Sequence, residues 1–207
     1  MEHGYHVAIV GATGAVGLEL LSILEERKFP VVQLSLLASK RSVGRQLIFA
    51  GAEYPVQELT EGSFQGVHFA LFSVSSSISK AFAPIATRAR AVVIDDSSAF
   101  RMDPEVPLVV TEVNPHALHC HRGIIAHPNC STIPLVMVLN PIHQRARVKR
   151  VVVATYQSVS GAGARAMEEL DQQTRALIAR APAEVSVFPH QIAFNCLPHI
   201  DAFGDMG

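Results

Sequence analysis

The sequence predicts the α/β class, a doubly wound parallel sheet with helices on both faces, followed by the start of an α+β domain. Three observations carry this expectation. Short apolar runs alternate with segments of helical periodicity from His6 to Ala126. The first run ends in a glycine-rich turn that opens a helix. Near Asn129 the pattern changes to longer helices and one long β-branched run. Strands covered on both faces read as continuous apolar runs, and alternation with helices is the mark of a parallel sheet.

In chain order, His6–Val10 (HVAIV) reads as a buried strand. The spacing of Val16, Leu20, Leu21 and Leu24 predicts a helix over Gly14–Arg27, stopped by Pro30. Val31–Ala38 and Val67–Val74 read as strands, and Ser75–Arg88 as a helix between the second of these and a strand at Ala91–Asp95. Leu108–Val110 and Gly123–Ala126 follow as short strands. Beyond Asn129, Cys130–Arg145 reads as a helix, Val148–Ser160 as a long strand, Gly161–Arg180 as a helix and Gln191–Asn195 as a strand. A domain boundary is expected near residues 128–131, dividing the chain into 1–129 and 130–207.

Composition narrows the function classes. Of 207 residues, 49% are hydrophobic and 17% charged, and the formal net charge of −1 gives no field for nucleic acid or an anionic membrane. The N-terminus shows no basic stretch followed by an apolar run, so no signal peptide is expected, and no apolar run reaches the ~20 residues of a membrane span. Three scattered cysteines do not make a disulfide framework, which fits a reduced, cytoplasmic setting. His116, His119 and His121 form a loose cluster; exposed loop histidines are the simpler reading, and no metal site is expected.

Gly11-Ala12-Thr13-Gly14-Ala15-Val16-Gly17 lies between the first strand and the first helix, a variant of the dinucleotide fingerprint of Rossmann-type folds. Glycine is required where the loop turns tightly and its backbone approaches a pyrophosphate. The helix N-terminus then offers N–H groups and a partial positive charge. At the end of the second strand an NAD-binding fold usually carries Asp or Glu for the ribose hydroxyls. Here the residues are Ser39-Lys40-Arg41-Ser42. A carboxylate would repel a 2′-phosphate, whereas Arg41 and the Ser39 hydroxyl would bind one, so NADP is the expected cofactor.

Pro128-Asn129-Cys130-Ser131-Thr132 sits between a strand and a helix. A helix N-terminus favours the thiolate, which is the reactive form of cysteine. Cys120 and Cys196 have no such setting in the sequence.

Four segments occur in order: Gly11–Gly17, Asp96-Ser97-Ser98-Ala99-Phe100-Arg101-Met102, Asn129-Cys130-Ser131-Thr132, and Gln157-Ser158-Val159-Ser160-Gly161-Ala162-Gly163. Each resembles the corresponding motif of the aspartate-semialdehyde dehydrogenases, and the resemblance runs from Val7 to the last residue. It implies an NADP-dependent enzyme of lysine, threonine and methionine biosynthesis that passes between aspartyl phosphate and aspartate semialdehyde through a cysteine thioester. Cys130 would be the nucleophile and Gln157 would orient the thioacyl or aldehyde group. Arg101 and Asn129 would bind phosphate or the phosphoryl group. The cofactor would lie against Gly11, Thr13, Gly14, Ala15, Val16 and Gly17, with Ser39, Arg41 and Ser42 around the 2′-phosphate. Ser73, Ser75 and Ser76 would lie near the nicotinamide, and Gly161 would also contact the cofactor. A homodimer is implied as well.

In the family the segment beginning at Pro198 runs on into well over 100 further residues. Those carry the histidine acid/base, the arginine for the substrate carboxylate and an acidic residue near the amine. The resemblance therefore implies an incomplete second domain and a chain that is inactive or severely impaired by itself. N-acetyl-γ-glutamyl-phosphate reductase is the nearest alternative, but its cysteine usually follows glycine and precedes an aromatic residue, where this chain has Asn129 and Ser131. Glyceraldehyde-3-phosphate dehydrogenase fits less well. A non-catalytic nucleotide-binding module is the alternative of a different class.

Overall fold

The computed structural model describes residues 4–200, so the end of the segment that begins at Pro198 lies outside the described residues. The chain forms two compact units, Met1–Thr155 and Tyr156–Gly207.

The first unit is built on a seven-stranded sheet. Its elements are β1 (Tyr5–Val10), α1 (Ala15–Glu26), β2 (Val31–Ala38), β3 (Gln46–Phe49), β4 (Ala52–Glu58), β5 (Phe69–Phe72), α2 (Ser76–Arg88), β6 (Val92–Asp95), β7 (Ile124–Ala126) and α3 (Thr132–Ala146). The strand order is β3-β4-β2-β1-β5-β6-β7. All pairings are parallel except β3 with β4 at one edge. The expected doubly wound α/β architecture is thus present. Side chains alternate across β1, as the period of two in a strand requires. Val7 and Ile9 pack with Leu21 of α1 on one face, and Ala8 and Val10 pack with Ala83 and Ala86 of α2 on the other. Successive strands move outward from β1 in one direction through β2 and in the other through β5. The carboxyl ends of β1 and β5 therefore flank the crevice where ligands of such sheets bind.

The β3–β4 hairpin was not evident in the sequence. Its two turn residues, Ala50 and Gly51, both have positive φ (49° and 77°), the geometry of a type I′ turn. The usual signal for that turn is Asn-Gly or Asp-Gly, and alanine in its first position conceals it.

The second unit contains a 3₁₀ turn at Val159–Ala162 and α4 (Ala164–Ile178). Three expected strands are corrected here. Val148–Ser160 is not a strand: residues 148–158 have no regular structure and the chain then enters the 3₁₀ turn. β-Branched residues favour extended backbone, but a strand also needs a neighbour for its N–H and C=O groups, and the described residues supply none. Gln191–Asn195 is not a strand either, because the Ile192 and Ala193 N–H groups donate to the Gln173 side-chain oxygen at 2.9 and 3.1 Å. Leu108–Val110 shrinks to one bridge between Leu108 and Ala126, since the Val110 N–H donates to Asn114 Oδ1 at 2.8 Å.

A buried polar network holds the second unit together. Gln173 Nε2 donates to Glu169 and to the Glu184 carbonyl, and Glu169 accepts from the Ser186 hydroxyl and the Val187 N–H. This ties the irregular segment 184–193 to α4 through side chains in place of a β-ladder.

Among the described residues, no helix is long and apolar enough to cross a membrane.

Candidate active site

The glycine loop leaves β1 at its carboxyl end. Gly11 has φ of 90°, and its N–H and that of Ala12 both donate to the Leu37 carbonyl of β2, at 2.8 and 3.2 Å. A Cβ on Gly11 would stand 2.1 Å from the Ser73 carbonyl oxygen, and one on Gly17 would stand 2.3 Å from the Gly11 carbonyl oxygen. Gly11 thus lets the loop pass against β5, and Gly17 lets α1 sit on the loop. Gly14 is the N-cap of α1, with no side-chain cap and no acidic residue in the first turn. The first N–H groups of a helix lack intrahelical partners, so Ala15, Val16 and Gly17 place donors and the positive helix end beside the loop. The cradle fits a pyrophosphate: the loop is shaped where side chains cannot go and the donors carry no competing carboxylate.

The expected 2′-phosphate residues follow β2. Ser39 and Arg41 are exposed, whereas Ser42 is buried. Thr13 Oγ1 donates to Ser42 Oγ at 3.4 Å, a weak tie between the glycine loop and the turn that carries Arg41.

On the other side of the crevice, Ser73 follows β5 directly and Ser75 immediately precedes α2 without a side-chain capping bond, with Ser76 as the first helical residue. Ser76 and Ser98 hydroxyls are 2.8 Å apart, joining α2 to the loop after β6. Asp95, fully buried at the end of β6, accepts from the Ser79 hydroxyl at 2.6 Å and the Ser97 hydroxyl at 2.8 Å. These bonds fix the start of the loop that leads to Arg101.

Arg101 spans two loops. Its Nε donates to the His127 carbonyl at 2.9 Å and its Nη2 to the Asp96 carbonyl at 2.6 Å. A guanidinium has five N–H donors, so these bonds do not exhaust it. Burial, and then the charge of Arg101, lowers the His127 pKa, while Glu112 opposes them. Burial pushes the Asp96 carboxyl up to about 6, with Asp95 adding to the rise; the hydrogen bond from the Ser73 side chain and the charge of Arg101 pull it down. Asp96 was not singled out in the sequence. Its place in the motif was visible, but its burial against Ser73 depends on β5 and β6 being neighbours.

Three residues after His127 comes Cys130, exposed and two residues ahead of α3. Asn129 Oδ1 accepts from the Ser131 N–H at 3.0 Å and the Ser131 hydroxyl at 2.7 Å, with Cys130 Sγ at 3.8 Å. The Asn129 carbonyl accepts from the N–H groups of Thr132 and Ile133. Asn129 therefore shapes the entry to α3 and holds the thiol's own turn. Cys120 and Cys196 are exposed too, so accessibility by itself does not distinguish the three thiols.

Gln157 and Gly161 belong to the second unit. Gln157 lines a shallow groove with Ser158, Ile192, Asn195 and Cys196. Gly161 lies in the 3₁₀ turn after it, where a Cβ would meet nothing within 4 Å. The presence of Cys196 beside Gln157 was not foreseen, because it depends on Gln173 fixing Ile192 and Ala193. His116 and His119 are exposed, and His121 Nδ1 accepts from the Gly123 N–H. Among the described residues, no group of three or more His, Cys, Asp or Glu side chains is placed to hold a metal ion.

The fold and this crevice define a dinucleotide-binding α/β protein with an exposed cysteine at the start of a helix. Residues 6–121 match the semialdehyde dehydrogenase NAD-binding domain, and residues 139–207 match the semialdehyde dehydrogenase dimerisation domain. The chain belongs to the semialdehyde dehydrogenase family. It is 56% identical to aspartate-semialdehyde dehydrogenase of Aquifex aeolicus over 99% of its own length and 61% of that protein. It is 51% identical to the Bacillus subtilis aspartate-semialdehyde dehydrogenase, over 100% of this chain and 62% of the relative. The crystal structure of Vibrio cholerae aspartate semialdehyde dehydrogenase II complexed with ASA superposes with a TM-score of 0.95, at 50% identity, covering 99% of this chain and 62% of that one. The chain thus spans about three-fifths of the length of these relatives.

Proposed function

We propose that the protein is an NADP-dependent, cytoplasmic aspartate-semialdehyde dehydrogenase of lysine, threonine and methionine biosynthesis. Residues 1–129 hold the cofactor, and residues 130–207 form the first part of a catalytic and dimerisation domain. The observation that carries this reading is the Arg101 bridge, which links the loop after β6 at the cofactor crevice to the segment leading into Cys130.

In the biosynthetic direction Cys130 Sγ attacks the acyl carbon of L-aspartyl 4-phosphate. The carbon–oxygen bond to phosphate breaks, and a thioester and inorganic phosphate result. Arg101 and Asn129 hold the phosphoryl group, for which a guanidinium offers paired donors. Gln157 orients the thioacyl oxygen. NADPH, when bound, would supply the hydride that reduces the acyl carbon. Cys130 Sγ would then leave with the carbon–sulfur bonding pair, which frees the aldehyde. The Gly11–Gly17 loop binds the pyrophosphate, Ser39, Arg41 and Ser42 the 2′-phosphate, and Ser73, Ser75, Ser76 and Gly161 the nicotinamide end.

Calorimetric titration tests the cofactor assignment. NADP should bind about tenfold or more tightly than NAD, the weight of one charge-assisted hydrogen bond, and Arg41→Ala should bring the two together. Equal affinities in the unmodified protein would defeat the role given to Ser39 and Arg41.

Homodimer formation is part of the same proposal. α3 has no buried residue, and Val138, Val151, Val152 and Val153 are 64%, 48%, 81% and 55% exposed. Exposed aliphatic side chains in these two neighbouring segments of sequence suit an interface. Sedimentation velocity should give a dimer or larger species at micromolar concentration, and a monomer throughout that range would count against it.

A further inference from the structure

We propose that Asp95 is a positioning residue of the Arg101 oxyanion subsite: anchored on Ser79 of α2, its carboxyl group fixes the Asp96–Ser97 peptide that orients the guanidinium. The inference rests on the reading of Arg101 as a phosphate-binding residue.

The Asp95 side chain is met from two elements. From α2, the Ser79 hydroxyl donates to Oδ1 at 2.6 Å, and from the loop after β6 the Ser97 hydroxyl donates to Oδ2 at 2.8 Å. The Ser97 N–H also donates to Oδ1, at 3.4 Å. Ser97 Oγ in turn accepts from the Ala99 N–H at 3.1 Å. Asp95, Ser79 and Ser97 are all buried. An unpaired polar group is costly there, so a satisfied network favours one arrangement of the loop.

The Ser97 N–H and the Asp96 carbonyl belong to one planar peptide group and point to opposite sides of it. Asp95 holds the N–H side, and Arg101 Nη2 donates to the carbonyl side at 2.6 Å. The second acceptor of Arg101 also traces to Asp95. That acceptor is the His127 carbonyl, at 2.9 Å, and the His127 N–H donates to the Asp95 carbonyl at 2.8 Å. Both main-chain oxygens that hold the guanidinium are thus set by one residue, one through its side chain and one through its main chain. Pairing of β6 with its neighbours requires no carboxyl group, and an apolar side chain would leave no buried polar atoms to satisfy. What the carboxyl adds is the turn at residues 96–97, and Ser79 ties that turn to a helix. A guanidinium delivers paired donors to an oxyanion only while its plane is fixed.

Inorganic phosphate is the probe. Its affinity for the full chain is read at one pH from protection of Cys130 against alkylation, and NADP affinity is read by calorimetry. Ser79→Ala and Ser97→Ala each remove one arm and little volume. Each should weaken phosphate about three- to tenfold, the range of one neutral hydrogen bond, with NADP affinity unchanged. The arms act in series through one carboxyl group, so the double variant should match Ser97→Ala and not the product of the two effects. Ser97→Thr keeps the hydroxyl and should bind phosphate as the unmodified protein does. Thermal unfolding verifies that each variant is folded. Ser79→Ala is decisive by itself, because it leaves the loop sequence untouched: unchanged phosphate affinity in that variant would overturn the role of Asp95. Multiplying effects in the double variant, or a parallel loss of NADP affinity, would mark the serines as general packing and also overturn it. No phosphate protection in the unmodified protein, or protection that survives Arg101→Ala, would overturn the Arg101 reading and the inference with it.

Discussion

Gly11→Ala is expected to abolish detectable dinucleotide binding and to destabilise the first unit by about 2–5 kcal/mol. Two independent costs add. The backbone sits at φ of 90°, where an L side chain is strained, and the new Cβ would stand 2.1 Å from the Ser73 carbonyl oxygen. That oxygen is backbone on the neighbouring strand, so it cannot swing aside as a flexible side chain would. Relief requires the loop to lift off β5, which moves the N-terminus of α1 away from the pyrophosphate. The Gly11 and Ala12 N–H bonds to Leu37 would be lost in the same movement. Urea unfolding measures the first effect and calorimetry with NADP the second. Gly44→Ala isolates the backbone cost, since Gly44 has φ of 83° but its Cβ would meet nothing within 4 Å. A Gly11→Ala protein of unchanged stability that still bound NADP would show that the loop does not require this close approach.

The parts of the fold that were legible in the sequence are those whose physics is local. β1 from His6 onward and the second half of β2 are apolar runs buried or half-buried on both faces, β5 and β6 are short apolar runs buried or half-buried throughout, and α1 and α2 present small and aliphatic residues at helical spacing. The glycine loop was legible for the same reason, since its function depends on residues adjacent in the chain. The errors fall where distant partners decide. Residues 148–158 have the composition of a strand and no ladder to join. Gln191–Asn195 has its N–H groups taken by the Gln173 side chain, a contact that spans 19 and 20 residues. Asp96 acquires its place only when β5 and β6 are adjacent, and Cys196 comes to line the Gln157 groove only through the α4 network. The roles proposed for Arg101, Asn129 and Gln157 rest on the family resemblance, since their residue types alone do not suggest them. The geometry adds that Arg101 is also a strut, with two donors committed to main-chain carbonyls.

That strut bears on the largest effect anticipated, at Cys130. Limited alkylation with iodoacetamide near neutral pH, followed by peptide mapping, should label Cys130 before Cys120 and Cys196. All three thiols are exposed, so the order has to come from electrostatics and not from access. Cys130 stands at the start of α3, where the helix end attracts the developing negative charge, and Arg101 holds the segment that leads into it. Cys120 ends a 3₁₀ turn and Cys196 lies in an irregular segment, neither leading a helix. Inorganic phosphate or NADP should slow the labelling of Cys130 and leave the other two unchanged. Cys130→Ala should keep NADP binding, because the glycine loop and the thiol are carried by different elements. The same substitution should lower turnover of the proposed reaction by at least about 10³-fold and remove any thioester detectable by mass, because the proposed thioester forms on Cys130 Sγ. Faster labelling of Cys120 or Cys196 in folded protein would defeat the electrostatic argument. Turnover retained by Cys130→Ala would defeat covalent catalysis itself.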